Sequence, residues 1–161
     1  MFYFYGDDKP HWVNACIESW RHEMPDFEVV EINENRSSEY FDWEKELTSC
    51  QWLKTVYDLK MWAYVADYVR IKVLYDYGGI YLDTGVTALR SFAGILHNKM
   101  FVTPDKAGNI EVAVLGATPG HELRKDILDF YNYEVWHSQL YAIPSVFVEF
   151  IKRRYGIPPR P

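Results

Sequence analysis

Apolar residues recur along this chain with two periods, and each change of period marks an element. The opening run MFYFY has strand length and ends at Gly6, where Gly-Asp-Asp-Lys-Pro has loop composition. Val13, Cys16, Ile17 and Trp20 then recur at three- and four-residue spacing, which predicts an amphipathic helix stopped near Met24 and Pro25. Residues 27–32 read as a second strand closed by Asn33-Glu34-Asn35. Strand, helix and strand in that order predict a βαβ start to a parallel sheet. Residues 36–50 are polar and charged and read as a surface loop or short helix, and residues 53–58 as a helical turn.

The stretch from Ala63 to Thr87 carries the clearest pattern. Ala63, Asp67, Arg70, Ile71 and Leu74 fall on one helical stripe, and the helix is predicted to stop at Gly78-Gly79, where glycine takes a positive φ. Residues 80–82 follow as a short strand with Asp83 at its carboxyl end, the position where open α/β sheets place their ligands. Alternation puts Tyr81 and Asp83 on one face and Ile80 and Leu82 on the other. Asp67 and Arg70 share a helix face that is otherwise apolar, so they must pair, bind a ligand or reach solvent. An aromatic, a carboxylate and an acid–guanidinium pair thus converge on one crevice.

Beyond Gly85, residues 92–96 predict a turn or short helix. Residues 100–103 and 110–115 predict a strand hairpin around Pro104-Asp105-Lys106-Ala107-Gly108-Asn109. Leu123, Ile127, Phe130 and Tyr131 mark a further helix, with His121 read as a helix-start residue. Residues 144–155 form a last helix with Phe147, Phe150 and Ile151 inward, and residues 156–161 a breaker-rich tail.

Composition narrows the function classes. A net charge of −6 across 161 residues argues against a nucleic-acid partner, which needs a basic face. No apolar run reaches the roughly 18 residues of a membrane span, and no leader pattern opens the chain. Cys16 and Cys50 make neither a disulfide framework nor a metal-ligand spacing, so a soluble protein of a reducing, cytoplasmic compartment is expected. The length fits a single domain over residues 1–161. Asp83-Thr84-Gly85 also spells the D-T-G of aspartic proteases. Those enzymes pair two such carboxylates in an all-β fold, whereas this aspartate follows a helix and a Gly-Gly stop.

Asp67, Arg70, Gly78, Gly79, Tyr81 and Asp83 match, in order and spacing, the D-x-x-R…GG-x-Y-L-D signature of DXD-type glycosyltransferases of the family 32 kind, the sugar-transferase group of capsular polysaccharide synthesis. The opening, with CIESW and the later N-E-N, is also similar to that family. The resemblance implies a GT-A-like α/β fold, a mostly parallel sheet flanked by helices. It further implies transfer, with retention, of a hexose from a nucleotide sugar, such as a UDP-sugar, to a glycan acceptor in polysaccharide or surface-glycan synthesis. By the same resemblance Asp67 and Arg70 grip the donor sugar, and Tyr81 and Asp83 contact the ribose or diphosphate. Phe4 and Tyr5 cup the base, and Asp83 is the catalytic carboxylate. The family's cofactor is Mn2+ or Mg2+, reached by Asp83 through water. Its second, direct ligand stands two residues later, where this chain has Gly85.

An extended chain through Gly85 would aim position 85 to the same side as Asp83; a positive φ at Gly85 is the alternative. The family also continues past the equivalent of Pro161 with a histidine- or tryptophan-containing segment that closes on the metal and diphosphate. This chain is therefore expected to lack that closure. Its alternative role is that of an impaired relative or fragment that binds a sugar nucleotide or a partner chain without transfer. Peripheral association with the inner face of a membrane completes the expectations.

Overall fold

The computed structural model describes residues 1–6 and 8–156; the tail expected at residues 156–161 lies outside the described residues from 157 onward. The chain runs β1 (Phe2–Phe4), α1 (His11–Glu23), β2 (Val30–Ile32), α2 (Trp43–Ser49), α3 (Gln51–Asp58), α4 (Trp62–Tyr77), β3 (Gly79–Leu82), β4 (Met100–Pro104), β5 (Ile110–Ala117), α5 (Glu122–Asp129) and α6 (Ile143–Tyr155). Five strands form one sheet in the order β2-β1-β3-β5-β4. β1 pairs in parallel with β2 and β3, while β3–β5 and β5–β4 are antiparallel. The α/β class and the helix-flanked sheet are as expected. The sheet is mixed rather than mostly parallel, because the β4–β5 hairpin joins it through β5 alongside β3.

Helices cover both faces. Met1, Tyr3, Ile80, Leu82 and Val114 pack with Val13, Ile17 and Trp20 of α1. Phe2, Ile32, Tyr81 and Leu115 pack on the other face with α3, α4, α5 and α6. The period-two alternation of β3 therefore sorts its side chains between two cores.

α4 lies at the centre, and Val65, Tyr68, Val69, Arg70, Ile71, Val73 and Leu74 are all buried. A single apolar stripe understates it: the helix packs against the sheet on one side and against α3 and α5 on the other. Its stop is Gly78, with φ +69° and ψ −159°, a conformation open only to glycine. A Cβ there would also lie 2.6 Å from Pro119 Cδ.

The strand read over residues 27–32 shortens to Val30–Ile32. Of the two alternatives for residues 36–50, surface loop or short helix, the structure has the short helix α2, which buries Trp43 and Glu46. The buried Glu46 carboxylate accepts from the Tyr68 hydroxyl at 2.9 Å and pairs with Lys72 at 3.3 Å. That pairing is what makes burying a carboxylate tolerable.

Candidate functional site

The crevice opens at the carboxyl ends of β1 and β3, the two neighbouring strands from which the chain leaves in opposite directions: from β1 toward β2, and from β3 toward the β4–β5 hairpin on the far side. Such a switch point splays the loops apart and leaves a cleft. The cleft has a volume of about 770 Å³. One wall is the end of β1, with Phe4, Tyr5 and Gly6; the opposite wall is α4, with Trp62, Asp67 and Arg70. Tyr81, Asp83 and Thr84 form its floor, and Asp8, Glu34 and Asn35 its rim.

Arg70 is the hub. Its Nη2 lies 3.1 Å from Asp83 Oδ1 and 3.3 Å from Asp67 Oδ1. Nη1 donates to Asp83 Oδ2 at 3.3 Å and to the Val112 carbonyl at 2.8 Å, and Nε donates to the Ala66 carbonyl at 3.3 Å. The guanidinium carbon stands 5.0 Å from the centroid of the Tyr81 ring. A planar fork can meet two carboxylates, a carbonyl and a ring at once; an ammonium cannot. The Val112 carbonyl lies on β5 where the ladder with β4 slips register, an irregularity of the kind that frees backbone groups beside functional sites.

The electrostatics follow from burial. It pushes the Asp67 carboxyl up to about 6, although Arg70 and the Ile143 N–H pull it down; Asp83 adds to the rise. The same desolvation raises Asp83, again against the pull of Arg70. Burial draws Arg70 down, and Tyr81, Asp83 and Asp67 more than offset it, so it stays a cation. The Tyr81 hydroxyl is raised by burial and remains protonated.

Asp67, Arg70, Tyr81, Asp83, Phe4 and Tyr5, all nominated from the sequence, therefore meet at one cleft. The helix-face pair is in fact a triad, because Asp83 joins Asp67 on the same guanidinium. Sequence reasoning passed over Trp62, Asp8 and Glu34. Trp62 had a signal, an aromatic at the first residue of the helix that carries Asp67 and Arg70; the rim carboxylates had none beyond loop composition. Trp62 is braced by Tyr57, their ring centroids 5.5 Å apart, and the Tyr57 hydroxyl donates to the Glu34 carbonyl at 2.8 Å. His121, as read, starts α5: its Nδ1 accepts from the Leu123 N–H at 3.3 Å.

The metal position departs from the extended geometry. The Val86 N–H donates to the Asp83 carbonyl at 3.0 Å, so the chain turns immediately after Asp83. Gly85 sits in that turn without a positive φ, and a Cβ there would meet nothing within 4 Å. Among the described residues no three His, Cys, Asp or Glu side chains gather to hold an ion. Both oxygens of Asp83 already face Arg70. The donor set present does not fit a tightly held divalent cation. Among the described residues four carboxylates and one guanidinium line the cleft, and that charge favours hydroxyl groups over a bare phosphate.

Comparison with known proteins agrees with this geometry. Residues 10–102 match the family model described as a glycosyltransferase sugar-binding region containing a DXD motif. Inositol phosphoceramide mannosyltransferase 3 of Schizosaccharomyces pombe is 33% identical over 150 residues, 87% of this chain and 40% of that protein. Glycosyltransferase afumC of Aspergillus fumigatus is 30% identical over 112 residues, 70% of this chain and 27% of that protein. The chain thus spans well under half the length of these curated relatives. The solved PaToxG glycosyltransferase superposes with a TM-score of 0.78 at 15% identity, covering 96% of this chain and 68% of that one, a likeness of fold. The match of the DXD-region model over more than half of the sequence, on a fold whose switch-point cleft holds the D-x-x-R and strand-end aspartate, makes this chain a member of the DXD-motif glycosyltransferase sugar-binding family.

Proposed function

We propose that this chain is the donor-binding part of a hexosyltransferase that moves a sugar from a nucleotide-sugar donor to a glycan or glycolipid acceptor. The observation that carries the reading is the Arg70 fork held between Asp67 and Asp83 at the cleft floor. Each carboxylate keeps lone pairs beyond those facing Arg70, and those can accept sugar hydroxyl protons at fixed positions. The Phe4, Tyr5 and Trp62 side chains give the same cleft aromatic walls against which a base can rest. The name of the Schizosaccharomyces pombe relative supports a mannosyl donor, and the family resemblance supports retention of configuration and a UDP-sugar among the donors to be tried.

Transfer breaks the bond between the sugar and the diphosphate, so negative charge grows on the leaving oxygen. Among the described residues Arg70 is the one cation lining the cleft, and its charge is already shared by two carboxylates. A second reading is favoured by that balance and by Gly85: the chain binds a sugar nucleotide without transferring the sugar. Incubating the purified chain with UDP-glucose or GDP-mannose, with and without manganese, separates the two. Release of free nucleoside diphosphate supports transfer chemistry; saturable binding without release supports the binding role; neither outcome with either donor removes the donor-site reading.

A further inference from the structure

We propose that the loop of residues 89–99 is a docking surface for an anionic lipid bilayer. Leu89 is 85% exposed, the most exposed large apolar side chain among the described residues, and Ile95 and Leu96 lie on the surface of the same loop. Exposing three aliphatic side chains on one short loop forgoes burial that the core would otherwise gain.

The loop is not a loose end. At its start the Ala88 N–H donates to Ser19 Oγ on α1 at 2.9 Å, and at its end the Lys99 carbonyl accepts from the Thr118 N–H at 2.9 Å. Between them Phe92 turns inward and stacks on Phe101, centroids 6.3 Å apart. The pinned frame presents Leu89, Ile95 and Leu96 outward.

Charge identifies the occupant. The chain carries a net −6, yet residues 84–104 contain no Asp or Glu at all. Arg90, His97 and Lys99 are exposed within that stretch, and among the described residues no ion pair involves any of them. Aliphatic side chains that project from a loop, with Arg90 and Lys99 beside them in a stretch that holds no acidic residue, have the composition of an interfacial anchor for anionic headgroups.

Co-sedimentation of the 161-residue chain with phosphatidylcholine vesicles, with and without phosphatidylserine, tests this at low salt. The chain is expected to pellet with the phosphatidylserine vesicles alone, and added salt should release it. Arg90→Ala and Lys99→Ala should each weaken binding about fivefold. The triple variant Leu89→Ser, Ile95→Ser, Leu96→Ser should weaken it more than tenfold with no change in melting temperature. Failure of the parent to bind, or equal binding by the variants, overturns the proposal, as does a lowered melting temperature in the triple variant. A concentration-dependent dimer in sedimentation velocity that the triple variant abolishes, with no vesicle binding by the parent, would assign the surface to a second copy instead.

Discussion

The Asp67 carboxylate reaches across 76 residues of sequence to accept the Ile143 N–H at 3.3 Å, at the first residue of α6. No side chain of α6's own N-terminal segment caps it. One oxygen of Asp67 therefore serves the last helix while the other faces Arg70. The donor cleft and the packing of α6 are joined through a single carboxylate.

That double duty gives Asp67 a pH signature. Its folded value of about 6 lies above the ordinary 3.8, so the folded chain holds this proton more tightly than the unfolded chain. The contribution is fully present below about pH 4 and is lost as pH rises through about 6, amounting to roughly 3 kcal/mol. Asp67→Asn keeps an acceptor for Ile143 and removes the titration. Denaturant melts between pH 4 and 7 should show a falling stability component in the parent that is absent in the variant. Donor binding should move the opposite way, rising with pH as Asp67 ionises.

Arg70 is the residue whose loss costs most. Removing Asp67 still leaves Asp83 on the guanidinium, whereas Arg70→Met strands two carboxylates side by side. We expect a loss of about 3–5 kcal/mol in urea unfolding. Arg70→Lys should recover only part of it, since an ammonium cannot bond both carboxylates and the Val112 carbonyl together.

Arg124 predicts the reverse sign. It is fully buried over the Phe147 ring at 4.7 Å, and among the described residues its guanidinium makes one hydrogen bond, to the Gly116 carbonyl at 3.3 Å. Burial pulls the guanidinium down to about 9, and Arg70 pushes the same way, with no carboxylate among the described residues paired to it. Arg124→Met keeps much of the packing without the desolvated charge. Thermal melts near neutral pH should show a variant at least as stable as the parent, by about 1–4 kcal/mol if the gain is full.

Gly85→Asp is accommodated, because the turn there has no positive φ and the added side chain meets open space. Manganese titration should find weak affinity in the parent and tighter affinity in the variant, since the new carboxylate supplies the oxygen ligand that such ions prefer. Melting temperatures should match. Equal manganese affinity in the two proteins would show that position 85 lies away from any ion site.

Much of this was legible in the sequence where local pattern decides the outcome. The helix–Gly-Gly–strand passage fixed α4, Gly78 and the place of Asp83, because glycine at a positive φ and period-two alternation act within a few residues. The Asp67–Arg70 pair was visible at helical spacing. Its third member was not paired with it, because Asp83 meets Arg70 only once β3 packs on α4. The Ile143 cap, the Val112 carbonyl and the burial of Glu46 depend on contacts far apart in sequence, and no spacing reveals them. The turn after Asp83 was missed because glycine alone does not distinguish an extended backbone from a tight one.

The proposed nucleotide-sugar site rests on Asp83 and its Arg70 fork. Calorimetric titration of the chain and of Asp83→Ala with UDP-glucose and with GDP-mannose tests it directly. Loss of a charged hydrogen-bond acceptor is worth about 1.5–3 kcal/mol. Saturable binding of at least one donor to the parent is expected, with affinity at least tenfold weaker in Asp83→Ala and the fold retained because Asp67 still neutralises Arg70. Equal affinity in parent and variant, or no binding of either donor by the parent, would contradict it.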